Sequence, residues 1–196
     1  MLKIGLTGSI GSGKSLVSEI FSELSVPVYN ADTEAKRFFQ YPLIKSKIIS
    51  LFGLDSIDST AEVNRSHLAG IVFNNEEKLK KLNELIHPLV INDFECWSLL
   101  YHSNPYIIHE AAILFESGIS SKFDKIITVS APEELRLQRV IKRDQVNESD
   151  VRSRMKNQCS EEEKISKADY VIVNDELQLL IPQIVAVHKQ ILGILL

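Results

Sequence analysis

The first apolar run of this chain ends in a segment that neither a helix nor a strand would carry. Residues 5–16 read GLTGSIGSGKSL, with four glycines, a lysine and three serines besides. Glycine has the most backbone freedom to lose on folding, so this density weakens regular structure and marks a loop. Before it, LKIGLT at 2–7 reads as a short buried strand; after it, Val17, Ile20, Phe21 and Leu24 recur at helical spacing. Between that strand and that helix, residues 8–15 fit G-x-x-x-x-G-K-[ST]. Positions without side chains let backbone N–H groups converge on phosphate oxygens, and the helix N-terminus adds positive potential. The expected nucleotide-binding residues are Gly8, Gly11, Ser12, Gly13, Lys14, Ser15 and Leu16. Lys14 is placed to reach the β- and γ-phosphates of ATP, and the Ser15 hydroxyl to ligate Mg²⁺.

A unit of this kind calls for more strands. They are expected at VPVY (26–29), PYIIHE (105–110), DKIITVS (124–130) and YVIVN (170–174). Several are continuously apolar, which points to a parallel sheet covered on both faces. The expected fold is α/β: a three-layer αβα P-loop NTPase domain with a five-stranded parallel sheet, one domain over residues 1–196. Between the strands, a helical stretch begins near Asp32 and stops at Pro42, and short helices fill 43–75 around the polar loop DSIDST. A long helical pattern covers Glu76–Ser103, where Pro88 should kink or divide it. One helix follows Pro132, and a last one follows Pro182 with Ile184, Val187, Ile191 and Leu195 on one stripe. Residues 36–102 read as a helix-rich substrate-binding insertion and 136–160 as a basic lid.

Composition excludes several classes. Hydrophobic residues make up 44% and charged residues 24%, an ordinary globular balance. No apolar stretch approaches the roughly 20 residues needed to span a bilayer, and polar residues and glycines from Thr7 onward break up any signal peptide. Cys96 and Cys159 lie far apart and read as reduced thiols of a cytoplasmic protein. A net charge of −4 argues against a nucleic-acid binder. Yet Arg136 to Lys156 holds seven basic residues against three acidic ones. A local positive patch on an acidic body suits a small polyanion. A monomer with a small-molecule substrate is the expectation.

Three constellations carry candidate chemistry. Asp32, in NADTEAKR, follows the second strand; beside the first strand it could accept or orient the proton of a hydroxyl nucleophile, or it could simply cap the helix from Thr33. Glu110 ends the third strand, where an acid can hold Mg²⁺ or its water shell, whereas its neighbour His109 reads as a core or pocket-edge residue. Arg136, Arg139 and Arg143 fall on one helical stripe opposite Leu137, Val140 and Ile141. Such guanidinium groups can stabilise a transferring phosphoryl.

Taken with LNELIHPLV, AAILFESG, RVIKRD and NQCSEEEKISKADYVIVN, in that order, the chain resembles the dephospho-CoA kinase family over nearly its full length. The resemblance implies transfer of the ATP γ-phosphoryl to the ribose 3′-hydroxyl of dephospho-CoA, the last step of coenzyme A synthesis. It implies Asp32 as base, Lys14 and Ser15 as phosphate and Mg²⁺ ligands, and Arg139 and Arg143 as lid arginines. The chain departs from the family pattern at Asn30 and Glu110 (both usually Asp), at Leu16, at Ala112 and at Arg136. His87-Pro88 matches the pattern and reads equally as a helix-kink pair in the core. Two other readings compete: a kinase for a nucleoside or nucleotide, and a GTP-dependent switch in which SKAD (166–169) is a degenerate guanine-reading motif.

Overall fold

Strand β1 (Leu2–Thr7) runs straight into the glycine loop, and helix α1 (Lys14–Glu23) leaves it. The computed structural model describes residues 1–72 and 75–194, so Leu195 lies outside the described residues. In chain order there follow β2 (Val28–Asn30), α2 (Ala31–Phe38), α3 (Pro42–Phe52), α4 (Arg65–Val72) and α5 (Glu76–Ser98). Then come β3 (Tyr106–Glu110), β4 (Lys125–Ser130), α6 (Glu133–Asp144), α7 (Glu148–Lys156), α8 (Glu161–Lys167), β5 (Tyr170–Val173) and α9 (Leu180–Ile191). Two compact units divide the chain: Met1–Asn30 with Trp97–Leu196, and Ala31–Cys96.

The first unit holds a five-stranded, all-parallel sheet in the order β2-β3-β1-β4-β5. Every residue of β3 is buried, and it takes a place between β1 and β2. The end of β2 therefore does not lie beside β1, as the sequence suggested. A fully buried five-residue strand belongs inside a sheet, while a three-residue strand is suited to an edge. One face packs Ile4, Leu6, Ile108, Ile127, Val129 and Ile172 against Val17 and Phe21 of α1 and Ile184 and Val187 of α9. Burying each such side chain contributes about 1.5–3 kcal/mol. On the other face Leu114 and Phe123 lie over Gly5, and His109 stacks on Tyr29 and meets Phe123 at a tilt, with ring centroids at 5.5 and 5.0 Å. His109 is a core residue, 0% exposed.

The strands match the sequence expectation closely; the helix ends do not. Helix α5 runs through Pro88 undivided and stops at Ser98. Proline removes one backbone hydrogen bond, and the buried Ile86, Val90 and Phe94 on either side keep the helical register. Helix α9 begins at Leu180, with Pro182 already in its first turn, where its missing N–H would have no partner anyway.

In the second unit, Ile44 and Ile48 of α3 and Leu68 and Val72 of α4 are buried. The DSIDST loop folds on Asp58, whose carboxylate accepts from the backbone N–H of Thr60 (2.8 Å) and Glu62 (3.1 Å). Among the described residues no helix is long and apolar enough to cross a membrane.

Candidate active site

The glycine loop is shaped by what presses on it. Gly11 and Gly13 have φ of 81° and 94°, in the left-handed region that side chains disfavour. A Cβ on Gly11 would strike the Arg136 carbonyl oxygen of α6, and one on Gly13 would strike the Asn174 amide. These glycines thus serve close approach of α6 and the end of β5 as well as access to phosphate. Lys14 is 9% exposed, and its ammonium donates to the Gly8 carbonyl at 2.8 Å. Ser12 Oγ is buried and makes no hydrogen bond among the described residues.

Two side chains from the end of the sequence pattern hold this loop. Asn174 Nδ2 donates to the Ser12 carbonyl at 2.8 Å. Gln158 Oε1 accepts from the Ile10 N–H at 2.8 Å. Helix α8 starts beside them because Ser160 caps it, accepting from Glu163 N at 3.1 Å, with three glutamates in its first turn. From there Glu161 Oε2 accepts from Ser9 Oγ at 2.7 Å. Position 161 was not legible as a loop contact, since an acidic first turn is what any helix N-terminus favours.

The arginines part company. Arg136 is 6% exposed, so it does not share an open stripe with Arg139 and Arg143. Its Nε donates to the Ala131 carbonyl at 2.9 Å, and its Nη2 lies 3.8 Å from Glu161 Oε2. The side chain turns back toward the helix start, and burying a guanidinium demands such partners. Arg139 donates to the Asn174 carbonyl at 3.2 Å and to Glu176 at 2.9 Å, with Gly11 O at 3.5 Å. Arg143 and Arg154 converge on Asp144 at 2.7 and 3.0 Å. That pairing, Arg143 first, holds the Asp144 carboxyl below its usual range. Arg154 belongs to the basic patch read from the sequence, and its ion pair with Asp144 joins α7 to the end of α6. A cleft of about 670 Å³ is lined by Ser9, Arg136, Arg152, Lys156 and Gln158, among others.

On the other side of the loop, Ser15 and Glu110 line a common cavity of about 290 Å³ with Ser18, Ser22, Asn30, Glu19 and Glu23. Its polar groups are hydroxyls, carboxylates and one amide, a hard-oxygen set that suits Mg²⁺ supplemented by phosphate oxygens and water. Glu110 is 4% exposed, and its Oε2 accepts from Asn30 Nδ2 at 2.7 Å and Ser18 Oγ at 2.9 Å. Leu16 is half-exposed and offers only its backbone N–H to a nucleotide.

In the second unit, Asp32 sits inside the first turn of α2, which begins at Ala31, so it is not the cap of a helix starting at Thr33. It is exposed. Burial lowers the His87 imidazole and the Asp32 charge works against that, so the two are electrostatic neighbours. Asp169 is fully engaged elsewhere: its carboxylate accepts from Ile126 N and from Lys125, each at 2.8 Å. It ties α8 and β5 to β4, which leaves no guanine-reading aspartate in SKAD.

The stretches AAILFESG and NQCSEEEK are brought together as well. Lys164, 1% exposed, lies 3.0 Å from Glu116 Oε1, which also accepts from Cys159 N at 2.8 Å.

The family model described as dephospho-CoA kinase matches residues 2–178. A dephospho-CoA kinase of Fusobacterium nucleatum is 43% identical over 172 residues, covering 88% of this chain and 89% of that protein. The solved dephospho-CoA kinase from Campylobacter jejuni superposes with a TM-score of 0.69 at 30% identity, over 98% of each chain. A shikimate kinase from Acinetobacter baumannii shares the fold at a TM-score of 0.57 and 17% identity, over 98% and 94% of the two chains. With a braced phosphate loop and a family match over nearly its whole length, the chain belongs to the dephospho-CoA kinase family.

Proposed function

We propose that the protein transfers the γ-phosphoryl of ATP to the ribose 3′-hydroxyl of dephospho-CoA, completing coenzyme A, as a cytoplasmic monomer that uses no nucleic acid. The observation that carries the reading is the phosphate loop itself, held by Gln158 and Asn174 and joined to α1 at a buried Lys14. Loop N–H groups and Lys14 take the triphosphate. Ser15 and Glu110 are the residues that would hold Mg²⁺, which when bound would offset charge on the phosphates. Asp32 accepts the 3′-hydroxyl proton as the new oxygen–phosphorus bond forms and the β–γ bridging bond breaks, releasing ADP. Arg139 and Arg143 neutralise charge on the transferring group, and closure around it excludes water that would otherwise hydrolyse ATP.

The test is an acceptor panel with coupled ADP detection and mass analysis of the product. Dephospho-CoA should gain one phosphate, while nucleosides, nucleoside monophosphates and water should not be phosphorylated at a comparable rate. Turnover of a nucleoside monophosphate with dephospho-CoA untouched would reject the proposal. Lys14→Ala should lower turnover about 10²–10³-fold, and a fully active variant would remove Lys14 from the mechanism.

A further inference from the structure

Glu110 is the last residue of β3 and Asn30 the last of β2, and the parallel register sets them side by side. Neighbours in register share one face of the sheet. Their side chains meet: Asn30 Nδ2 donates to Glu110 Oε2 at 2.7 Å, and Ser18 Oγ of α1 donates to the same oxygen at 2.9 Å. We propose that Asn30 is the positioning residue for Glu110, a neutral donor that locks this nearly buried carboxylate as a single anion facing the cavity shared with Ser15. The inference rests on the role given to Glu110 above.

The chemistry of the pair explains the residue types. Glutamate carries three side-chain torsions, and a group that must sit accurately needs its rotamer fixed by neighbours. Two donors on one oxygen fix the plane of the carboxylate. An ionised aspartate at position 30 could only accept, and two carboxylates at that separation cannot both stay charged without strong repulsion. An amide supplies the hydrogen bond and leaves one negative charge. That charge lies on β3, and β2 carries none at this point. Glutamate's extra methylene is compatible with an asparagine partner across the register; the pair works as a matched set.

The experiment first measures the wild-type enzyme with ATP, Mg²⁺ and dephospho-CoA. Failure there strikes the functional reading and leaves the pair unaddressed, so the variants are judged only against an active wild type. The exchange variant Asn30→Asp/Glu110→Gln keeps a carboxylate–amide hydrogen bond but moves the charge from β3 to β2. It should melt within about 3 °C of wild type, while kcat falls about 100-fold and KM for ATP changes less than about 3-fold. Unchanged kcat in that folded variant overturns the proposal, because a merely structural pair tolerates the exchange. A second variant covers misfolding of the first. Asn30→Ala removes the donor and should lower kcat about 10-fold with KM for ATP held. Wild-type kcat in Asn30→Ala also overturns it.

Discussion

The side-chain amide of Asn174 donates to the carbonyl oxygen of Ser12, 162 residues earlier, at 2.8 Å. One bond thus joins the end of β5 to the turn that cradles phosphate, and Gly13 has no side chain so that the amide can come this close. The position of Asn174 just after β5 follows from the register of that strand with β4, since its N–H also donates to the Ser130 carbonyl at 2.8 Å. Asn174→Ala should leave the Ser12 carbonyl without this donor and cost about 1–3 kcal/mol. KM for ATP should rise more than kcat falls, because the loop that binds the nucleotide loses its support. Thermal melting with steady-state kinetics checks both; unchanged melting and KM would mean the loop needs no such brace.

Asp32 lies exposed in the first turn of α2. A carboxylate there gains about 0.3–1 kcal/mol from the helix dipole, so Asp32→Asn should hardly affect melting. If it is the base, kcat should fall about 10²–10⁴-fold with KM for ATP nearly constant. Parallel loss of stability and rate would assign it to the helix alone.

Lys164 and Glu116 form a nearly buried ion pair at 3.0 Å. Lys164→Met keeps volume but strands the Glu116 carboxylate, with an expected cost of about 3–5 kcal/mol. Adding Glu116→Gln should recover most of that, because an amide still accepts from Cys159 N and carries no charge. Chemical denaturation of both variants reads the difference; equal instability of single and double variants would contradict it.

Burial pushes the His109 imidazole down from 6.5 to about 4. Between those values the unfolded chain binds a proton that the folded chain refuses, so stability rises with pH through this window. The contribution of neutral His109 is full above pH 6.5 and is lost as pH falls to about 4, amounting at most to about 3 kcal/mol. Burial also lowers His87 and His188, which act in the same direction. The informative quantity is therefore the difference between wild type and His109→Phe. The variant should lose less stability on acidification from pH 7 to 4.5, and identical slopes would show that His109 does not titrate with folding.

The alternation of apolar runs with helical periodicity determined the five strands, and the glycine loop with Lys14 and Ser15 was legible because its chemistry lies in consecutive residues. Local patterns report local geometry, so they also placed Arg136 on an open stripe and the end of β2 beside β1. Only the tertiary structure decided that β3 separates those strands, that Arg136 is buried against Ala131, and that Asn30 grips Glu110. Gln158 and Asn174 lie in NQCSEEEKISKADYVIVN, one of the stretches that carry the family resemblance, yet their task of holding the loop emerges only where β5 and α8 come back to it. The physical reason is common to all of these: strand order and side-chain pairing across a sheet depend on contacts far apart in the chain, whose free energies no short window of residues contains.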